Sequence, residues 1–305
     1  MKTKLSVTLG RLKLKNPVIA ASGTFGYAEE FKDFLDLKKL GAIVTKTLTL
    51  KPRQGNPAPR TCETPAGMLN SIGLENPGLE IFIKSKLPFL KRTGVPIIMS
   101  IASEEEPEEF LELVARINLI KEAAAIELNI SCPNVRGKDN LISQDAEATY
   151  KIIQEVRKIT DKVLITKLSP NVTSISAIAK SAAEAGSDAL ALINTLGGMS
   201  IDIENRRPKV AAGIAGLSGP AIRPVAVKMT WEVFNAVKLP IIGMGGIMDT
   251  ASALEFMIAG ATAVGIGTAN FIHPGVGAEI AAGLKNYLLK NKISDINKLI
   301  GSLEI

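Results

Sequence analysis

Short apolar runs recur along the chain, at 17–21, 42–45, 96–101, 124–130, 163–167, 188–193, 240–243 and 262–266. Each predicts a buried strand, because a short, nearly continuous apolar run suits a strand covered on both faces. Stretches of helical period lie between most of them, at 106–121, 145–159, 173–185, 221–237 and 249–259, with Asp145, Thr173 and Asp249 standing where N-caps are expected. Strands that alternate with helices pair in parallel, and eight such units predict a (β/α)8 TIM barrel. Two gaps break the rhythm, at about 48–95 and 195–220, and both are rich in Gly, Pro and Asn. They predict insertions after strands 2 and 6, both on the active face.

The residues that close these runs are polar. Ser22 and Gly23 follow the first, Lys46 and Thr47 the second, Ser100 stands in the third, and Asn129 and Cys132 end the fourth. Lys167 ends the fifth, Asn194 and Thr195 follow the sixth, Gly243 to Gly246 close the seventh, and Gly267 and Thr268 follow the eighth. Polar groups with no part in packing, collected on one rim, are what a barrel enzyme shows at the face that carries its site. The stretch Glu127 to Asn134 has the plan in its clearest form: an apolar strand ends at Asn129, and Cys132 comes just before Pro133, which stops regular pairing.

Composition narrows the chemistry. A chain of 305 residues that is 46% hydrophobic is large enough for one barrel domain spanning 1–305. No segment offers roughly 18 uninterrupted apolar residues, and Lys2 and Lys4 precede no apolar leader, so a cytoplasmic chain without a membrane partner is expected. Two cysteines, Cys62 and Cys132, and one histidine, His273, are too few for a structural zinc or an iron–sulfur cluster on this chain. The net charge of +6 is carried by dispersed lysines and the aromatic content is 4%, which favours a small anionic ligand or an acidic partner over nucleic acid.

Four groups of residues carry the candidate chemistry. Gly243-Met244-Gly245-Gly246 and Gly267-Thr268 bring bare backbone amides to the ends of strands 7 and 8, where barrels bind phosphate; the plainer reading is that these glycines only permit tight turns. Gly-Met-Gly-Gly is not the dinucleotide fingerprint, and no separate nucleotide domain is expected. Lys46 and Lys167 end apolar strands and predict an anionic or electron-rich ligand in the barrel mouth, unless both are solvated rim lysines. Asn70, Asn129 and Asn194 offer donors and acceptors to a planar ligand edged with carbonyls and N–H groups, although each alone is also an ordinary loop residue. Cys132 suits a thiol base whose thiolate is stabilised by nearby positive charge, against the alternative of a small core residue; Cys62 lies in the first insertion with no base beside it, and His273 reads as a loop residue.

Ordered motifs along nearly the whole chain resemble the dihydroorotate dehydrogenase family: ASGTFG (21–26), TKT (45–47), GNPAPR (55–60), NSIGLEN (70–76), ELNISCPNV (127–135), TKLSPN (166–171), INTLGGM (193–199), GLSGPAIRP (216–224), GMGGI (243–247) and GTANF (267–271). The resemblance implies a flavin barrel that oxidises dihydroorotate to orotate in pyrimidine biosynthesis, with one FMN per chain. It implies that Cys132 takes the C5 proton while hydride leaves C6 for the flavin. FMN would lie on Ser22, Lys46, Thr47, Ser100, Asn129, Lys167, Ile193, Gly219, Gly245, Gly246, Gly267 and Thr268. Dihydroorotate or orotate would be held by Lys46, Asn70, Ser71, Ile72, Gly73, Leu74, Asn129, Asn194 and Thr195.

Cysteine at 132, where the membrane-bound class has serine, resembles the soluble class 1. TKLSPN, INTLGGM and GLSGPAIRP are similar to class 1B, which passes electrons to NAD⁺ through a second subunit carrying FAD and a 2Fe–2S cluster. The implied assembly is a homodimer of this chain within a heterotetramer of two catalytic and two electron-transfer chains. The loop 135–141, Val-Arg-Gly-Lys-Asp-Asn-Leu, is instead similar to class 1A, a stand-alone homodimer that reduces fumarate, and fumarate is therefore the alternative acceptor. A non-redox phosphate-binding barrel isomerase is the alternative from another class.

Overall fold

The computed structural model describes residues 3–103, 108–130 and 141–304. Eight parallel strands close into a barrel: β1 (Val18–Ala20), β2 (Ala42–Val44), β3 (Ile97–Ile101), β4 (Ala123–Leu128), β5 (Val163–Lys167), β6 (Ala189–Leu192), β7 (Ile241–Met244) and β8 (Ala263–Ile266). All eight fall within or against the apolar runs, and nearly every one of their residues is buried, as strands covered by barrel filling inside and helices outside must be. Val264 pairs with Val18 and closes the ring.

The helices that follow the strands are α1 (Gly78–Ser85) and α2 (Leu87–Thr93) after β2, α3 (Glu109–Asn118), α4 (Ala146–Ile159), α5 (Ile175–Glu184), α6 (Arg223–Ala236), α7 (Thr250–Ala259), and α8 (Ala269–Ile272) with α9 (Val276–Lys290) after β8. Asp145 caps α4 by accepting from the backbone N–H groups of Glu147 and Ala148. Asp249 caps α7 in a reciprocal box with Ser252. The cap of α5 is Ser174, not Thr173: Ser174 has the extended backbone of an N-cap, and its hydroxyl accepts from Ala177 N. Between β1 and β2 the connection contains only two single-turn 3₁₀ segments, Glu29–Phe31 and Leu37–Lys39, steadied by the stacked rings of Phe25 and Phe31 at 4.1 Å.

The end of the barrel at which the strands start is closed by an antiparallel hairpin, Val7–Leu9 with Leu12–Leu14. Gly10 at its tip packs against Asp188, and the Arg11 guanidinium donates to the Asp161 carbonyl. At the opposite end the two insertions build one structure. Strands Leu196–Gly198, Ala215–Ser218, Gly67–Asn70 and Thr61–Thr64 form a four-stranded antiparallel sheet, in which Gly216 pairs with Asn70 and Ser218 with Met68. Each insertion thus completes the other's backbone pairing, and together they roof the barrel mouth. Leu69, Val210 and Ala215 form a small apolar cluster on this sheet, with Cys62 packed against it.

Candidate active site

Residues at or just beyond the C-terminal ends of every strand except β3 line one cavity of about 880 Å³ beneath the roof sheet, a volume suited to a cofactor-sized ligand. Along its floor runs a row of side-chain hydrogen bonds. Lys167 Nζ donates to Ser22 Oγ at 3.0 Å, and Ser22 Oγ donates to Glu127 Oε1 at 3.4 Å. From the other side, Asn129 Nδ2 donates to Thr47 Oγ1 at 3.3 Å, the Thr47 and Ser100 hydroxyls lie 2.9 Å apart, and Ser100 Oγ donates to the same Glu127 Oε1 at 2.8 Å. Ser100 and Glu127 are fully buried, and Thr47, Asn129 and Lys167 are nearly so.

The roof presents a second polar edge. The loop 70–74 is held by Asn56, whose amide donates to Ser71 O at 3.1 Å and to Ser71 Oγ at 2.8 Å, while Asn56 N donates to Ile72 O at 3.1 Å. The carbonyl of Arg60 accepts from Ser71 N at 2.7 Å, and the Arg60 guanidinium pairs with Glu75. Asn171 ties down the opposite side of the roof by donating to Thr195 O at 3.0 Å and accepting from Gly197 N at 2.9 Å. Asn70 donates to Gly216 O at 3.3 Å, and Thr195 packs over Gly216 so closely that no side chain fits there.

Lys46 and Lys167 both line the cavity. Burial pushes the Lys46 ammonium below the ordinary lysine value; the Glu75 carboxylate opposes this, and the Lys167 and Arg60 charges add to it. Among the described residues the Lys46 ammonium forms no hydrogen bond or ion pair, so an anionic group entering the cavity would supply one.

At the ends of β7 and β8 the backbone itself faces the cavity. Gly246 has φ +79°, and a Cβ there would meet Gly219 O at 2.7 Å, so only glycine fits the turn. A Cβ on Gly267 would have no neighbour nearer than the Thr24 side chain at 4.0 Å, because it would project into open cavity. Thr268 Oγ1 donates to Ser218 Oγ at 2.8 Å and joins this end of the barrel to the roof. Glycine backbone with a hydroxyl beside it is a donor set suited to phosphate oxygens.

The cavity brings together Ser22, Lys46, Thr47, Asn129, Lys167, Ile193, Gly219, Gly245, Gly246, Gly267 and Thr268 with Asn70, Ser71, Ile72, Gly73, Leu74, Asn194 and Thr195. Ser100 is the exception: it is not a lining residue, because its hydroxyl is engaged behind the wall by Thr47 and Glu127. Cys132 and most of the loop 135–141 lie outside the described residues. Cys62 sits half-buried in the roof sheet, and His273 pairs with Glu279 at the surface, 2.7 Å away. Sequence reasoning missed Glu127, and the signal was present: it is the lone carboxylate inside the apolar run 123–130. It also missed Asn56 and Asn171, whose work is to brace the roof.

Comparison with known proteins finds a match over residues 4–288 to the family model described as Dihydroorotate dehydrogenase. A protein of Trichlorobacter lovleyi named Dihydroorotate dehydrogenase B (NAD(+)), catalytic subunit, is 53% identical over 304 residues, covering 100% of this chain and 100% of that protein. The proteins of the same name from Geotalea uraniireducens and Geobacter sulfurreducens are 52% identical over 302 residues and 51% identical over 304 residues. These matches cover 99% and 100% of this chain, and 99% of each relative.

Proposed function

This chain belongs to the dihydroorotate dehydrogenase family, and from that premise we propose that it is the catalytic subunit of an NAD⁺-linked enzyme that oxidises dihydroorotate to orotate in pyrimidine biosynthesis. All three relatives carry the NAD(+) name, which favours NAD⁺ over fumarate as the terminal acceptor and leaves a non-redox barrel without support. The observation that carries the site is the convergence of Lys46, Lys167, the amides of Asn70, Asn129 and Asn194 and a glycine-rich turn on one cavity of about 880 Å³.

The cavity fits FMN. Its volume, the open space beyond Gly267 and the bare backbone at Gly246 suit a ribityl phosphate, and Lys46 and Lys167 suit an electron-rich ring. FMN, when bound, supplies the hydride acceptor. Ser22, Gly219, Gly245, Gly246, Gly267 and Thr268 would hold its phosphate and sugar side, with Lys167, Thr47 and Ile193 along its ring, and Ser100 supporting it through Thr47. Asn70, Asn129, Asn194 and Thr195, with the 71–74 backbone and the Lys46 ammonium, would bind the dihydroorotate ring and carboxylate. Cys132 would take the C5 proton. The 305 residues form a single FMN-binding domain, working in the cytoplasm as a homodimer joined by an electron-transfer subunit that supplies FAD and a 2Fe–2S cluster. Among the described residues no helix is long and apolar enough to cross a membrane.

The test is purification of the chain with and without a co-expressed iron–sulfur flavoprotein subunit. Flavin absorbance on the chain, capture of that subunit, and dihydroorotate-dependent NAD⁺ reduction only in the complex are expected. Efficient fumarate reduction by a chain that never captures a partner would overturn the NAD⁺ assignment, and a chain unable to take up FMN would overturn the flavin assignment.

A further inference from the structure

The row of hydrogen bonds under the cavity has a direction. A lysine ammonium only donates and a carboxylate only accepts, so Lys167 must donate to Ser22, which then gives its single hydroxyl proton to Glu127. Ser100 gives its proton to the same oxygen, leaving Thr47 to donate to Ser100 and accept from the Asn129 amide. Both arms therefore run toward Glu127 Oε1. Its second oxygen, Oε2, is buried and has no hydrogen-bond partner among the described residues. A fully buried carboxylate is costly, and an apolar side chain would fill the same place in β4 more cheaply.

We propose that Glu127 is a positioning residue: as the common acceptor of both arms it holds the Lys167 ammonium through Ser22 and turns the Asn129 amide, through Ser100 and Thr47, so that its NH₂ faces away from the ligand. The proposal rests on the flavin reading of the cavity for its consequence and on this chain's own hydrogen bonds for its cause. Glu127 is also the negative charge nearest in the row to Lys167, separated from it by one hydroxyl. It therefore offsets the positive charge that Lys167 offers to an electron-rich ring. A neutral amide at this position still accepts from Ser22, so Lys167 stays in place while the offset disappears.

Two measurements on Glu127→Gln test this. In the FMN-loaded chain the flavin midpoint potential should rise, with the two-electron reduction constant favoured about tenfold, which is about 30 mV. A purely structural residue would change stability and leave the potential alone, so an unchanged potential overturns the proposal. In the ligand-free chain, urea unfolding of Glu127→Gln, Lys167→Met and the double variant should be non-additive by about threefold or more in the unfolding constant. Should the wild-type chain fail to take up FMN, the functional reading falls by itself and the cycle decides the role of Glu127: coupling supports it, additivity overturns it.

Discussion

Burial lowers the pKa of Lys46 in the folded chain, whereas the unfolded chain keeps the ordinary lysine value. In the window between the two the unfolded state binds more protons, so the ligand-free chain gains stability as pH rises through the lowered value toward 10.5. Lys46→Met should lack that rise and be more stable near neutrality by roughly 0.5–1 kcal/mol, a small gain because water at the cavity mouth screens the half-buried ammonium. Urea unfolding of both proteins across that pH range checks it, and parallel curves would contradict it. Cys132 is the proposed base and not one of the residues proposed to hold FMN, so Cys132→Ala should reduce turnover by on the order of 10²-fold or more and leave FMN bound. Single-turnover flavin reduction with the flavin content measured in the same sample decides it. At this scale the sequence was readable where a side chain's chemistry clashed with its neighbours, as two lysines ending apolar strands do. Strand position says which residue is near the rim and not which partner captures its hydroxyl, and Ser100 stands behind the cavity wall with its hydroxyl engaged by Thr47 and Glu127.

The strands were the most legible elements, because burial on both faces leaves a continuous apolar signal that flanking loops cannot imitate. Caps were readable to within one residue: Asp145 and Asp249 hold their helices, while the chain enters α5 one position later than expected, at Ser174. The glycine turns at the ends of β7 and β8 make opposite predictions for two similar substitutions. Gly246→Ala forces a side chain onto φ +79° and against Gly219 O, so it should destabilise the chain by about 1–3 kcal/mol. Gly267→Val meets only open cavity, so it should fold with near-native stability and lose FMN affinity by tenfold or more. Thermal unfolding and flavin fluorescence titration of the two variants separate the outcomes, and equal loss of stability in both would be inconsistent with the cavity as described.

The barrel followed from the count and rhythm of its strands, but the pairing of its two insertions did not. Their strands are short and carry Gly, Ser and Thr in place of an apolar signature, and the pairing that joins the insertions, Gly67–Asn70 with Ala215–Ser218, spans about 150 residues, where no local pattern can point. The roof and floor face the cavity from opposite sides, so filling it should stabilise the whole molecule. FMN at about 100 times its Kd should add about 2.7 kcal/mol, or roughly 4 °C in Tm. A Tm indifferent to FMN concentration would argue against binding in this cavity. The shared sheet also constrains how new specificities can be engineered. Transplanting either insertion from a homologue alone would strand main-chain donors and acceptors on the other, because Gly216 answers to Asn70 and Ser218 to Met68. Chimeras that retarget the substrate loop should therefore be assembled with both excursions from one parent.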